Sequence, residues 1–175
     1  MQPKSKVLII GLGGLGSPVL QYLAASGVGT IGLADNDKVD LSNLHRQIIF
    51  SLKDIGSYKV SKAKKFISAV NSDINVIPYK QKVDLLNVDK IISKYDIIVD
   101  CTDNHSSKLI INDACYRGKK TLVYASVSGF FGQVSTFKSF KIDGTGIPYP
   151  SYRCLKINQN NEDDCEHLGV LGPIA

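Results

Sequence analysis

Three glycines, Gly11, Gly13 and Gly16, stand in G-x-G-x-x-G spacing directly behind the apolar run Val7, Leu8, Ile9 and Ile10. A run this short and rich in β-branched residues suits a buried strand and cannot span a membrane. Behind the glycines Leu15, Val19, Tyr22 and Leu23 recur at helical spacing, and a second apolar stretch, Thr30–Ala34, ends on an acid, Asp35. Strand, glycine turn, helix and acid-tipped strand together make a βαβ nucleotide-binding unit. The first glycine turns the chain off the strand, the second lets backbone approach a phosphate, and the third lets helix and strand pack closely. The helix N-terminus offers N–H donors to an anion, and Asp35 can accept hydrogen bonds from ribose hydroxyls. The glycine pattern by itself leaves the nucleotide open.

At 175 residues the chain is long enough for one domain with a real core. Its hydrophobic share of 43% and charged share of 21% are ordinary for a soluble protein, and no stretch has the form of a signal peptide. A cytoplasmic location is the expectation. The net charge is +5, but Lys59, Lys62, Lys64 and Lys65 gather on one helical segment instead of a basic and aromatic stripe. Nucleic acid is therefore not expected as a primary partner, and nothing suggests a membrane. Cys101, Cys115, Cys154 and Cys165 form no C-x-x-C pair and read as free thiols.

Further along, residues 51–57 are irregular with a turn at Gly56, and residues 58–70 carry apolar positions at helical spacing, which puts Lys59 in a first helical turn. Residues 74–79 read as a strand and residues 85–92 as a short crossover helix. Residues 97–101 form another buried strand, with Asp100-Cys-Thr-Asp-Asn104 at its carboxyl end, where an open parallel sheet binds ligands. A helix over 105–117 and a strand over 121–126 follow. The alternation over 130–137 predicts a further strand, antiparallel to the rest. The fold class is α/β, Rossmann-like, with helices on both faces of a mostly parallel sheet. Residues 1–140 are expected to form the nucleotide-binding domain, and residues 141–175 an irregular, incomplete loop or crossover segment.

A dehydrogenase would explain the segment from Gly11 to Asp35 but not the polar stretch that follows it, from Asp35 to Gln47. Asn43, Arg46, Gln47 and Lys59 beside a phosphate-binding turn make sense for a triphosphate. Its charge must be offset before a negatively charged nucleophile can approach. Asp103 can hold Mg²⁺ with one carboxylate while the ion keeps waters and phosphate oxygens. This is the pattern of nucleotidyl transfer.

The motifs G-L-G-G-L-G, A-D-N-D-x-V-x-x-S-N-L-x-R-Q, G-x-x-K and D-C-T-D-N resemble those of the ThiF/MoeB/HesA family of bacterial ubiquitin-activating-like enzymes. Members adenylate the terminal glycine of a small ubiquitin-fold protein, such as the sulfur carriers of molybdopterin and thiamine synthesis. The resemblance implies that Gly11, Gly13, Gly14, Gly16 and Asp35 bind ATP, and that Ser42, Asn43, Arg46 and Lys59 contact its phosphates. Asp103 takes Mg²⁺ beside Asn104. Catalytic work falls to Arg46, Lys59 and Asp103, and to Cys165, which in some members forms a thioester or persulfide-type link with the carrier. The acids flanking Cys165 would raise its thiol pKa and weaken it as a nucleophile. The implied partners are a carrier ending in Gly-Gly and a second copy of the chain.

Each residue also has a purely structural reading. Lys59 would be one more solvated lysine, Arg46 would pair with an acid, Asp103 would cap a helix starting at Asn104, and His45, His105 and His167 would lie on the surface. The chain departs from the family pattern in three places. The zinc site of two C-x-x-C pairs is reduced to Ser151-Tyr-Arg-Cys154, so zinc is not expected. The sequence opens close to its first strand, without the family's leading helix and its arginine, and it stops where dimer-forming segments would follow. A chain shortened at both ends leaves two further readings, a non-catalytic nucleotide-binding or scaffold member, or an adenylating enzyme for a tRNA or a peptide. The apolar end near residues 170–174 favours association.

Overall fold

The structure, a computed structural model, describes residues 5–155. Cys165, His167 and the apolar end at 170–174 lie outside the described residues. Among the described residues ten regular elements follow one another, strand and helix alternating up to a final pair of strands. They are β1 (Lys6–Ile10), α1 (Gly16–Ala25), β2 (Thr30–Ala34), α2 (Lys59–Val70), β3 (Asn75–Tyr79), α3 (Val88–Ile92), β4 (Ile97–Asp100), α4 (His105–Arg117), β5 (Thr121–Ser128) and β6 (Phe131–Phe137). Short 3₁₀ turns cover Leu41–Asn43, Leu52–Asp54 and Tyr152–Cys154.

The strands form one six-stranded sheet in the order β3-β2-β1-β4-β5-β6. All neighbours are parallel except β5 and β6, which run antiparallel from Leu122 opposite Phe137 to Ser128 opposite Phe131. Pro78 sits in β3, an edge strand, where a missing N–H costs no internal ladder bond. Alternation along β1 sends Val7 and Ile9 to one face and Leu8 and Ile10 to the other, so the sheet is apolar on both sides. Leu20 and Ala24 of α1 and Val60, Ala63 and Ile67 of α2 cover the first face. Val88, Ile91 and Ile92 of α3 and Ile111, Ala114 and Cys115 of α4 cover the second. No helix among the described residues is long and apolar enough to cross a membrane.

Two local expectations need correction. The buried stripe of α1 is Gly16, Ser17, Leu20 and Ala24, while Tyr22 is 75% exposed. Close packing on the sheet selects small residues, so the larger side chains lie to its flanks. The crossover helix begins at Val88, and Leu85 and Leu86 stand in an exposed turn. Asp84 Oδ1 accepts the N–H groups of Leu86 at 2.9 Å and Asn87 at 3.2 Å, satisfying the backbone outside a helix.

The chain after β6 folds back onto α4. Tyr152 is buried between Tyr124 and His105, its N–H donates to Asn112 Oδ1 at 3.0 Å, and Arg153 forks onto Asp113 at 2.8 and 2.6 Å. The strand order reverses between β1 and β4, which opens a crevice at their carboxyl ends.

Candidate active site

A cleft of about 480 Å³ occupies that crevice. Its floor is the glycine turn. Gly11 has φ +91°, and a Cβ there would stand 2.7 Å from the Cys101 carbonyl oxygen. A Cβ on Gly16 would stand 2.0 Å from the Gly11 carbonyl oxygen, which is the close helix–strand contact the third glycine permits. Gly13 has nothing within 4 Å of that position and opens to the cleft. No side chain caps the N-terminus of α1. The Ser17 N–H is taken by the Gly13 carbonyl at 3.0 Å and Pro18 has no N–H, so it is the turn leading into the helix, Gly13 to Leu15, that can offer N–H groups to an anion.

Asp35 ties this turn to β2. Its Oδ2 accepts the Leu12 N–H at 2.7 Å and its Oδ1 accepts the Asp37 N–H at 2.7 Å. Burial pushes the Asp35 carboxyl above the usual carboxylate range, partly offset by the charge of Lys59. Each oxygen keeps a second lone pair for a ribose hydroxyl.

The cationic wall comes from the polar stretch and α2. Asp40 caps the 3₁₀ turn by accepting from the Ser42 N–H at 2.8 Å and the Ser42 hydroxyl, and the turn presents Asn43 and Arg46 to the cleft. Arg46 donates to Asn43 Oδ1, and its stem lies 3.3 Å from where a Gly14 Cβ would be. Lys59, in the first turn of α2, is only 5% exposed and donates to Asp37 at 2.9 Å. Neither bland reading holds for these two cations: Lys59 is not a solvated lysine, and the contacts of Arg46 are Asn43 and His45, not an acid.

The opposite wall follows β4. Asp103 is exposed at the rim, and Asn104, not Asp103, caps α4 by accepting the Ser107 N–H at 2.9 Å. Asn is the better fit here because Asn104 has the extended backbone of an N-cap. Among the described residues no group of three or more acids, histidines or cysteines is placed to hold a metal ion. Asp103 could contribute a single carboxylate to a Mg²⁺ ion whose other ligands would be phosphate oxygens and waters. Burial pushes the Cys101 and Cys115 thiols up to about 12, so neither is a ready nucleophile.

Of the residues predicted from sequence, Gly11, Gly13, Gly14, Asp35, Ser42, Asn43, Arg46, Lys59, Asp103 and Asn104 all line this one cleft. Gly16 lies beneath it, packed on Gly11. His105 is exposed but engages the Tyr152 hydroxyl at 2.9 Å. Sequence reasoning overlooked Asp37, the counter-ion of Lys59, although it stands in the quoted A-D-N-D motif. It also overlooked Gln81, Lys82 and Val83 after β3 and Ser126 and Val127 on β5, which complete the lining. These come from distant segments and carry no local signal.

Residues 3–175 match the model of the ThiF family. The chain belongs to that family. A relative named probable molybdopterin-synthase adenylyltransferase from Porphyra purpurea is 45% identical over 169 residues, covering 97% of this chain and 44% of the relative. The adenylyltransferase and sulfurtransferase UBA4 of Candida albicans is 40% identical over 172 residues, covering 97% of this chain and 38% of the relative. This ThiF-family chain therefore spans less than half the length of either. Among solved structures, E. coli MccB matches with a TM-score of 0.79 at 28% identity, covering 90% of this chain and 43% of that one. E. coli MccB with ATP matches at 0.66 and 35% identity, covering 71% and 38%.

Proposed function

We propose that the chain is an ATP-dependent adenylyltransferase that activates the terminal glycine carboxylate of a ubiquitin-like sulfur carrier of the molybdopterin or thiamine type. One observation carries the reading: the glycine turn, Asp35, Arg46, Lys59 and Asp103, drawn from separate segments, converge on one cleft in a ThiF-family fold. The ribose lies on Asp35 and the phosphates lie over the glycine turn, facing Ser42, Asn43, Arg46 and Lys59. Asp103 would hold Mg²⁺ together with the phosphates, and the ion would supply further charge neutralisation. A carrier carboxylate oxygen attacks the α-phosphorus. A new P–O bond forms, the bond to the β-phosphate breaks, and pyrophosphate leaves with that electron pair. The carboxylate is already ionised at neutral pH, so no general base is needed, and positioning with charge neutralisation does the work.

The names of the relatives support an adenylyltransferase, and their identities of 40–45% exceed the 28–35% of the MccB structures. A carrier therefore stands ahead of a peptide such as the MccA bound in some MccB crystals. On this reading the chain works in the cytoplasm as a homodimer. Residues 1–140 bind ATP, residues 141–175 form the segment that follows that domain, and Cys165 is its candidate for a later covalent step.

ATP–pyrophosphate exchange with Mg²⁺ and a carrier ending in Gly-Gly tests the proposal. Carrier-dependent exchange is expected, with Lys59→Ala and Asp103→Ala each lowering the rate by about 10²–10³. ATP binding without exchange under any carrier would leave a nucleotide-binding module and overturn the enzyme reading.

A further inference from the structure

Beneath the cleft lies an ion pair that the adenylation step does not touch. Asp100 ends β4 with 0% exposure, and Lys108, also buried, stands one turn into α4 with its Nζ 3.6 Å from Asp100 Oδ2. Lys108 donates to the Ala125 carbonyl at 2.8 Å and lies 4.8 Å from the centre of the Tyr124 ring. Asp100 Oδ1 accepts both the N–H and the hydroxyl of Thr102, at 2.9 and 2.7 Å. Its Oδ2 has no hydrogen-bond partner within reach and stands 3.6 Å from Lys108 Nζ.

A buried pair is weak evidence for stability, because apolar side chains of similar volume usually serve as well. Here its partners matter more than its burial. Thr102 immediately precedes Asp103 on one side of the cleft, and Ala125 immediately precedes Ser126 and Val127, which line it from β5. One carboxylate and one ammonium thus grip both sides, which apolar replacements could not do.

We propose that Asp100 and Lys108 are positioning residues that couple the two sides of the cleft, setting the Asp103 turn against the carboxyl end of β5. That this spacing serves nucleotide transfer rests on the adenylation reading above. Neither residue is among those that line the cleft.

The test uses Lys108→Met and Asp100→Asn in the full chain. Amide hydrogen exchange without ligand is compared at Thr102, at Ser126 and at the sheet-centre residues Ile9 and Ile31. Lys108→Met is expected to speed exchange at Thr102 and Ser126 together by about tenfold, while Ile9 and Ile31 change by less than about twofold. The gain in ATP affinity from Mg²⁺, relative to EDTA, should fall by about tenfold in the same variant, because Asp103 is no longer held in place. Uniform acceleration that includes the sheet centre, or a change on one side alone, would overturn the proposal. Should Lys108→Met not fold, Asp100→Asn keeps the oxygen that holds Thr102 and removes the charge facing Lys108. Unchanged exchange at Ser126 in that variant would also overturn it. A wild-type chain that binds no ATP would sink the adenylation reading, and the exchange pattern would still decide the pair.

Discussion

Gly14 and Gly16 sit two positions apart, yet a methyl group added at each meets a different obstacle. At Gly14 it lies 3.3 Å from Arg46 Cδ, the stem of a flexible side chain that can swing away. Gly14→Ala should leave the fold intact and weaken ATP binding by about 1 kcal/mol, roughly fivefold, measured by calorimetry. At Gly16 the methyl lies 2.0 Å from the Gly11 carbonyl oxygen, which belongs to backbone fixed between β1 and β4. Gly16→Ala should cost about 3 kcal/mol or more of stability in urea unfolding, because helix and strand must move apart. On the proposed function, the same residue type would serve binding at one position and packing at the other.

The N-termini of α1 and α4 flank the cleft and differ in how they are finished. No side chain caps α1, while Asn104 caps α4. Asn104→Ala should cost about 1 kcal/mol of stability, a loss that a merely ligand-touching residue would not show. The segment after β6 is tied to the same helix by the Arg153–Asp113 pair. The Arg153 hydrogen bonds hold the Asp113 carboxyl below the usual carboxylate range. Because the folded state binds that proton less readily than the unfolded chain, the contribution is complete above the unfolded value near pH 4 and disappears as pH falls through the folded value. The difference in Tm between wild type and Arg153→Ala should be constant from about pH 5 to 8 and vanish in stronger acid. It should be small, since Arg153 is solvent-exposed and water screens the pair.

For the molecule as a whole, the site is an edge shared by most of the sheet, so a ligand there should stabilise the entire fold. ATP with Mg²⁺ at about a hundred times its Kd should add about 2.7 kcal/mol, roughly 5–10 °C in Tm. A melting curve indifferent to ATP would contradict the nucleotide site itself. The sheet also explains why so much of the fold was legible in the sequence. β1, β2 and β4 are buried on both faces and read as apolar runs, and the antiparallel strand β6 showed itself by alternation. The start of α3 was less legible, because Leu85 and Leu86 mimic a helical stripe while Asp84 and Asn87 hold a turn.

The sequence by itself determined the βαβ unit with its glycine turn, the acid that follows β2 and the residues of the cationic wall. Glycine spacing, apolar periodicity and charge are local properties written along the chain. Only the tertiary structure decided which partners those residues meet. Lys59 finds Asp37 across 22 positions, Arg153 finds Asp113 across 40, and Lys108 reaches Ala125 from the far end of a helix–strand crossover. Such pairings depend on strand order and on which face each helix covers. Those follow from closing one core on each side of the sheet, and no short window of sequence contains that condition.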